Sequence, residues 1–504
     1  MSRLRIDLGA AQFTVAHLER LWGPDAAAAL ARGHRVPAER ALARLREHDA
    51  AATLARAFVL GLVVEADRLA EALPTLGLEG AIALELIAPD CAPLVDLRPY
   101  AFNDEWGAVD WWIASDLGEL ALGGPLREDH VLGVGGASLT LAGLQLQRGV
   151  AVTLDLGTGC GIQAMHASRH SGRVVATDVS QRALDFAAFN AELNGIRTIE
   201  FRRGDLFGPV EGERFTAIVS NPPFVITPRT SAVPAYEYRD GGRVGDALVA
   251  EVVSGAARHL APGGVALLLG NWEYHGTESG LDRIGAWIDA AALDGWVIER
   301  EQQDPALYAQ TWIRDGGTRA GAEQERLEAA WLDDFEARGV TAVGFGYVVL
   351  RKPRGARTLR RLERLDAPAG TGIGAHVAAT LDAHDAQVAL DDSALGRARL
   401  EVAPDVTEER HYWPGDEHPA AMTLRQGGGF ARTYPLGTVL AAVVGACDGE
   451  LSLAAICSAV AELLEVQESE LLAEVLPSIR EFAEVGILRL PSHPRETLRS
   501  APVG

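Results

Sequence analysis

Lysine is almost missing from these 504 residues: Lys352 stands alone, so nearly all of the 46 basic side chains are arginine. A bias in codon usage accounts for that skew. Acidic side chains number 69, and the net charge of −23 argues against a chain that coats nucleic acid through its overall field. A local basic patch is still allowed. Cysteine is scarce, and Cys91, Cys160, Cys447 and Cys457 are too scattered for a disulfide scaffold or a zinc site. No metal is expected. Long apolar runs are also lacking. The strongest early one, Ala57 to Val64, is far shorter than the ~20 residues a membrane helix needs. The opening MSRLRIDLGAAQF has no apolar core of the signal-peptide kind. These absences predict a soluble, cytoplasmic chain with no membrane partner.

What is present is ordinary for a globular protein: 48% apolar and 23% charged residues, with a length that suggests three domains of ~150 residues. Residues 1–90 are rich in alanine, leucine and arginine at helical spacing and predict an N-terminal helical domain. Residues 91–147 read as a β-rich connecting segment, with a hairpin broken at Asn103-Asp104 and Gly107. From 148 to 354, seven short apolar strands alternate with helical stretches. This pattern predicts an α/β fold with a mostly parallel sheet and helices on both faces. Residues 355–419 read as a basic segment and linker. Seven cations fall between Arg351 and Arg364 against one acid, Glu363. Residues 420–504 end in a helical pair, with Gly486 placed to stop the second helix and ILRL behind it as a short strand.

Ligands of parallel sheets bind at the carboxyl ends of the strands. The first strand of the alternating region ends in Asp155-Leu156-Gly157-Thr158-Gly159-Cys160-Gly161. Glycines let the chain turn sharply and approach a ligand. The spacing G-x-G-x-G differs from the G-x-G-x-x-G of nicotinamide-binding turns. The second strand ends in Asp178-Val179, and its acid can accept from both hydroxyls of a ribose, or cap the next helix, a task Ser180 can take over. The third ends in Asp205-Leu206, where a carboxylate can accept an exocyclic amine or simply close a surface turn. The fourth ends in Asn221-Pro222-Pro223-Phe224. Two prolines fix φ and remove two donors, so the Asn221 amide oxygen and the Pro222 carbonyl form a rigid acceptor pair for an NH₂ group. Phe224 offers a flat face to a planar substrate, and Tyr236 and Tyr238 are further candidates for one.

At LDLGTGCG, ATDVSQRALDFAAFNAELNG, RGDLFGPVEGERF, IVSNPPF, YRDGGRVGDALV and HLAPGGVALLLGN, this stretch resembles the class I methyltransferases with an Asn-Pro-Pro-aromatic fourth strand. Among them it is most like the HemK-like enzymes that methylate a glutamine of peptide-chain release factors. The resemblance runs from Val152 to about Gly270, roughly a quarter of the chain. It implies a Rossmann-like methyltransferase sheet that binds S-adenosylmethionine and methylates a planar amide or amine nitrogen. Asp155, Gly157, Thr158, Gly159 and Gly161 would hold the methionine part, Asp178 and Val179 the ribose side, and Asp205 and Leu206 the adenine. Asn221 would touch both cofactor and acceptor, with Pro222, Pro223 and Phe224 completing the catalytic loop. Phe224 stands where the glutamine enzymes usually carry tyrosine, and HVLGVGGASLTLAG is more like some RNA enzymes.

The acceptor that the resemblance implies is a release-factor-like protein or an RNA base. The basic run favours RNA, and the overall acidity favours protein. The C-terminal part resembles PqqD-like winged-helix modules. A peptide clamp there would make a ribosomal peptide or a small molecule the alternative substrate. An inactive cofactor-binding protein is the alternative from another class. The sequence leaves the oligomeric state open.

Overall fold

The computed structural model describes residues 1–490 apart from 46–48, 123–125, 231–232, 235, 319, 368–369 and 371. The chain divides into two compact units, one of residues 1–145 with 149–364 and one of 146–148 with 365 onward. No helix among the described residues is long and apolar enough to cross a membrane.

The first unit opens with short helices between Ser2 and Ala83, including a π-turn at Ala55–Val59. Side chains begin two of them: Thr14 accepts from the His17 amide and Asp49 from the Ala52 amide. These helices were expected as a domain of their own. They instead share one core with the hairpin that follows and with the helix Gln181–Leu193, through Leu97, Ala114 and Leu193. The hairpin is β1 (Val95–Asp104) and β2 (Gly107–Asp116), joined where the sequence predicted.

The remaining strands of this unit build one sheet: β3 (Val150–Leu156), β4 (Ser171–Asp178), β5 (Ile199–Arg203), β6 (Phe215–Ser220), β7 (Leu260–His275), β8 (Asp294–Gln303), β9 (Val340–Arg351) and β10 (Arg360–Arg364). Their order is β5-β4-β3-β6-β7-β9-β8-β10. Strands β3 to β7 run parallel, and β9 is antiparallel to both of its neighbours. All seven strands predicted from 148 to 354 are present. The winding reverses between β3 and β6, so a crevice opens there at their carboxyl ends.

The segment 355–419, expected as a basic segment and linker, carries strands and helices among its described residues. Arg360–Arg364 is the edge strand β10, and helices Ile373–Val388 and Asp392–Arg397 follow in the second unit. Five of the seven cations of the run are matched by carboxylates. Arg351 meets Asp294 at 2.9 Å, Arg357 meets Asp289 at 2.6 Å, and Arg364 meets Glu299 at 2.6 Å. Arg360 shares Asp289 at 3.1 Å, and Arg361 pairs with Glu363 at 3.1 Å. Interleaved positive charges along an edge also keep that edge from pairing with another chain.

In the second unit, β11 (Glu401–Val402) pairs with β15 (Leu488–Arg489), and β12 (Val406–His411), β13 (Ala421–Gln426) and β14 (Thr433–Leu436) form an antiparallel meander. Helices Thr438–Gly445, Leu453–Leu464 and Glu468–Glu484 pack on them through Ile456, Val475, Ile479 and Phe482. Gly486 takes φ +79 just past the last helix, the left-handed position the sequence assigned to it.

Candidate functional site

A cavity of about 520 Å³ lies at the carboxyl ends of β3, β4 and β6. Its wall carries Gly157, Thr158, Gly159, Asp178, Val179, Asp205, Leu206, Asn221, Pro222 and Pro223, so the fold gathers residues spread over 67 positions of sequence.

The glycine turn follows from its backbone. Gly157, Gly159 and Gly161 have φ of +75, +55 and +88, which L side chains rarely adopt. A Cβ at Gly157 or Gly159 would meet no atom within 4 Å, because both border open space. A Cβ at Gly161 would lie 2.8 Å from Ala187 Cβ, since here the turn presses on the helix Gln181–Leu193. Thr177 ties the turn down by accepting from the amides of Gly157 and Thr158, each at 2.9 Å.

Asp155 does not line the cavity. It is fully buried behind the turn, where Oδ2 accepts from the Thr158 hydroxyl at 2.6 Å and the Ala164 amide at 2.9 Å. Its Oδ1 has no hydrogen-bond partner among the described residues. Burial pushes its pKa up to about 7, against the pull of those two donors. The folded chain therefore keeps a proton that the unfolded chain has lost. This group's contribution to stability is full below about pH 4 and declines as pH rises to about 7. Nearby His166 has the opposite slope, because burial pushes its pKa down to about 4. Melting curves of wild type and Asp155→Asn should separate the two. We expect the variant to gain in relative stability between pH 5 and pH 8. A difference that stays flat over that range would mean that Asp155 is ionised throughout.

Asp178 does line the cavity, with one oxygen accepting from the Gly159 amide and the other from the Ser180 amide, both at 2.9 Å. Burial raises its pKa, partly offset by these amides. Ser180 makes no side-chain cap, so the expectation that it would free Asp178 for a ligand does not hold. What the carboxylate retains is a second lone pair on each oxygen. Val179 is exposed beside it, as apolar wall. Asp205 is largely exposed and lies 3.4 Å from Arg243. Leu206 takes φ +44, a strained conformation for a branched side chain, at the cavity edge.

The Ser220 hydroxyl donates to the Leu156 carbonyl at 2.7 Å and locks β6 to β3 just before Asn221. Asn221 is half-buried on the wall, and its amide oxygen has no hydrogen-bond partner among the described residues. The Pro222 carbonyl, expected to have no local donor, accepts from the Phe224 amide at 2.7 Å. The donor comes from two residues on, past the proline whose nitrogen carries none. Phe224 is not on the wall either. It packs edge-on against Trp312 and Phe345 at 6.4 and 6.5 Å, because the turn at Pro222 sends its ring back into the protein. Of the three aromatic candidates, Tyr238 alone lines the cavity, its hydroxyl donating to Asp315 at 2.9 Å. Tyr236 is buried under the Arg239 guanidinium, 4.6 Å from its ring centre.

Among the wall residues that sequence reasoning missed are Asp240 and His130. Asp240 is nearly buried and accepts from the Gly242 amide at 2.8 Å and Arg229 at 2.5 Å. The Asp-Gly-Gly turn was its available signal. His130 is buried against Tyr238, and burial lowers its pKa, which favours the neutral ring at pH 7. His130 opens the stretch HVLGVGGASLTLAG noted above, but nothing in that stretch singles out the histidine itself.

The methyltransferase small domain family matches residues 135–284, and a domain of unknown function, DUF7059, matches residues 10–97. The release factor glutamine methyltransferase of Xylella fastidiosa is 38% identical over 128 residues, 24% of this chain and 46% of that protein. The corresponding protein of Deinococcus radiodurans is 40% identical over 127 residues, 23% of this chain and 44% of its own. The ribosomal protein uL3 glutamine methyltransferase of Bradyrhizobium diazoefficiens is 33% identical over 156 residues, 29% of this chain and 49% of its own. The chain thus spans about half the length of the curated relatives it matches. The cavity with its glycine turn and its Asn-Pro-Pro-Phe loop lies largely within the matched residues. Residues 135–284 accordingly match the methyltransferase small domain, and the curated relatives they resemble are glutamine methyltransferases.

Proposed function

We propose that this protein transfers a methyl group from S-adenosylmethionine to the side-chain amide nitrogen of a glutamine in a release-factor-like protein, in the cytoplasm. The observation that carries this reading is the Asn221 amide oxygen. It is a buried acceptor without a partner among the described residues, beside a cavity at the strand switch point. An unpaired buried acceptor costs about 1–3 kcal/mol, and an NH₂ group from a ligand would recover that.

The residues present fit the cofactor. Gly157 and Gly159 leave room for close approach, Asp178 has spare lone pairs for ribose hydroxyls, and Val179 and Leu206 offer apolar surface to a base. Asp155 acts from behind by holding the turn through Thr158 and Ala164. When bound, S-adenosylmethionine would supply an electrophilic methyl carbon on a sulfonium. The protein's task is the nucleophile, whose lone pair is delocalised in an amide. Asn221 and Pro222 would grip the NH₂ hydrogens, favour a pyramidal nitrogen and aim its lone pair. Asn221 is neutral and serves as an acceptor rather than a base.

A second reading is an exocyclic amine of an RNA base, which Tyr238 favours as an aromatic wall. Five arginines of the basic run already face carboxylates, and this weighs for protein. Transfer of labelled methyl groups into an extract of the source cells tests both. Label that protease releases, and that acid hydrolysis frees as methylamine, supports amide methylation. Label that only ribonuclease releases makes the acceptor RNA. Absence of label from both fractions points to a small molecule or an inactive core.

A further inference from the structure

Between β8 and β9 the chain inserts two helices, Pro305–Asp315 and Ala322–Arg338, and the first lies behind the loop that carries Asn221. We propose that this helix sets the position of the Asn221 loop, with the Tyr308 hydroxyl as the positioning group. The proposal rests on the methyltransferase reading above and adds residues outside the matched domain.

The segment 222–230 after Asn221 has little regular structure of its own, and its Pro222, Pro223 and Pro228 donate nothing. Its few backbone donors are therefore decisive. The Ile226 amide, fully buried, donates to the Tyr308 hydroxyl at 2.9 Å. The Val225 amide donates to the Arg239 carbonyl at 2.8 Å, and Arg239 in turn donates to the Trp312 carbonyl at 2.6 Å. Both anchors lead to the same helix. The Tyr308 hydroxyl also accepts from Asn271 Nδ2 on β7 at 2.9 Å, so the loop is tied to the sheet as well.

The ring of Tyr308 cannot yield. It is fully buried, stacks on Phe345 at 5.5 Å and meets Phe335 edge-on at 5.7 Å. Burial raises its pKa, so it stays a neutral phenol at any working pH. Phe224 joins the same cluster through Trp312 and Phe345. Sequence-remote aromatic packing thus fixes where Asn221 stands.

Tyr308→Phe keeps the ring and removes only the hydroxyl. In the full chain we expect kcat to fall at least about 10-fold, with S-adenosylmethionine affinity within about threefold of wild type. Amide exchange measured by mass spectrometry should speed up at least about 10-fold over residues 224–227 and stay unchanged over 176–180. Phe335→Leu is the control, since Phe335 touches the Tyr308 ring and no hydrogen bond of the loop. It should lower the melting temperature more than Tyr308→Phe does, yet lower kcat several-fold less. Equal losses of kcat in both variants would reduce Tyr308 to a packing residue and overturn the proposal. Unchanged exchange over 224–227 in Tyr308→Phe would overturn it too. If the wild type methylates nothing, the exchange result still decides the positioning role, and only the functional reading falls.

Discussion

Asn221→Ala is expected to lower methyl transfer at least about 100-fold while S-adenosylmethionine affinity stays within about threefold. The carbonyl of Pro222 survives this change, so the acceptor pair loses one member and not both. What disappears is the amide oxygen that has no partner among the described residues. Removing a single preorganised polar group aimed at the reacting atoms costs roughly 3 kcal/mol of barrier, which sets the scale of the loss. Single-turnover kinetics with saturating cofactor, together with calorimetric titration, separates the two quantities. A parallel loss of cofactor binding would make Asn221 a ligand of the cofactor and move acceptor binding elsewhere. Folding should be little changed, because the alanine removes an unsatisfied buried atom.

Gly161→Ala and Gly157→Ala are expected to fail in different ways, although both glycines have positive φ and lie in one turn. At Gly161 the new methyl carbon would sit 2.8 Å from Ala187 Cβ and 2.9 Å from Ala187 Cα, inside the contact between turn and helix. Backbone strain of about 1 kcal/mol adds to overpacking of about 1–3 kcal/mol, so the variant should lose about 2–4 kcal/mol of stability. At Gly157 the methyl group would meet no atom within 4 Å. That variant should lose only about 1 kcal/mol from its backbone conformation. Its methyl group borders the space a cofactor would fill, and binding should weaken at least about 10-fold. Chemical denaturation and cofactor titration on both proteins check the contrast. Similar stability losses in the two would mean that the helix moves aside at Ala187. Unimpaired cofactor binding in Gly157→Ala would remove this turn from the cofactor site.

The central strands were legible because they are short, largely apolar runs buried on both faces, as in Val265–Leu269. The glycine turn and the Asn-Pro-Pro loop were legible because their backbones demand those residue types. Local chemistry of that kind is written in consecutive positions. Asp155 was placed on the wrong side of the turn, since whether a side chain faces a cavity or the core depends on the helix packed behind it. Phe224 failed for the same reason: Trp312 and Phe345, about 90 and 120 positions away, decide where its ring goes.

The run from Arg351 to Arg364 shows the limit most clearly. Its charge was visible, but its partners Asp289, Asp294 and Glu299 lie some 60 positions earlier and meet it only because β10 docks beside β8. By itself, then, the sequence determined the α/β alternation, the sharp turn after β3 and the acceptor-rich loop after β6, because local sterics and hydrogen-bonding capacity fix these. Only the tertiary structure decided which side chains face the cavity, which cations stand already matched and what holds Asn221 in place, because burial and Coulomb partnership are properties of neighbours that the chain brings together by folding.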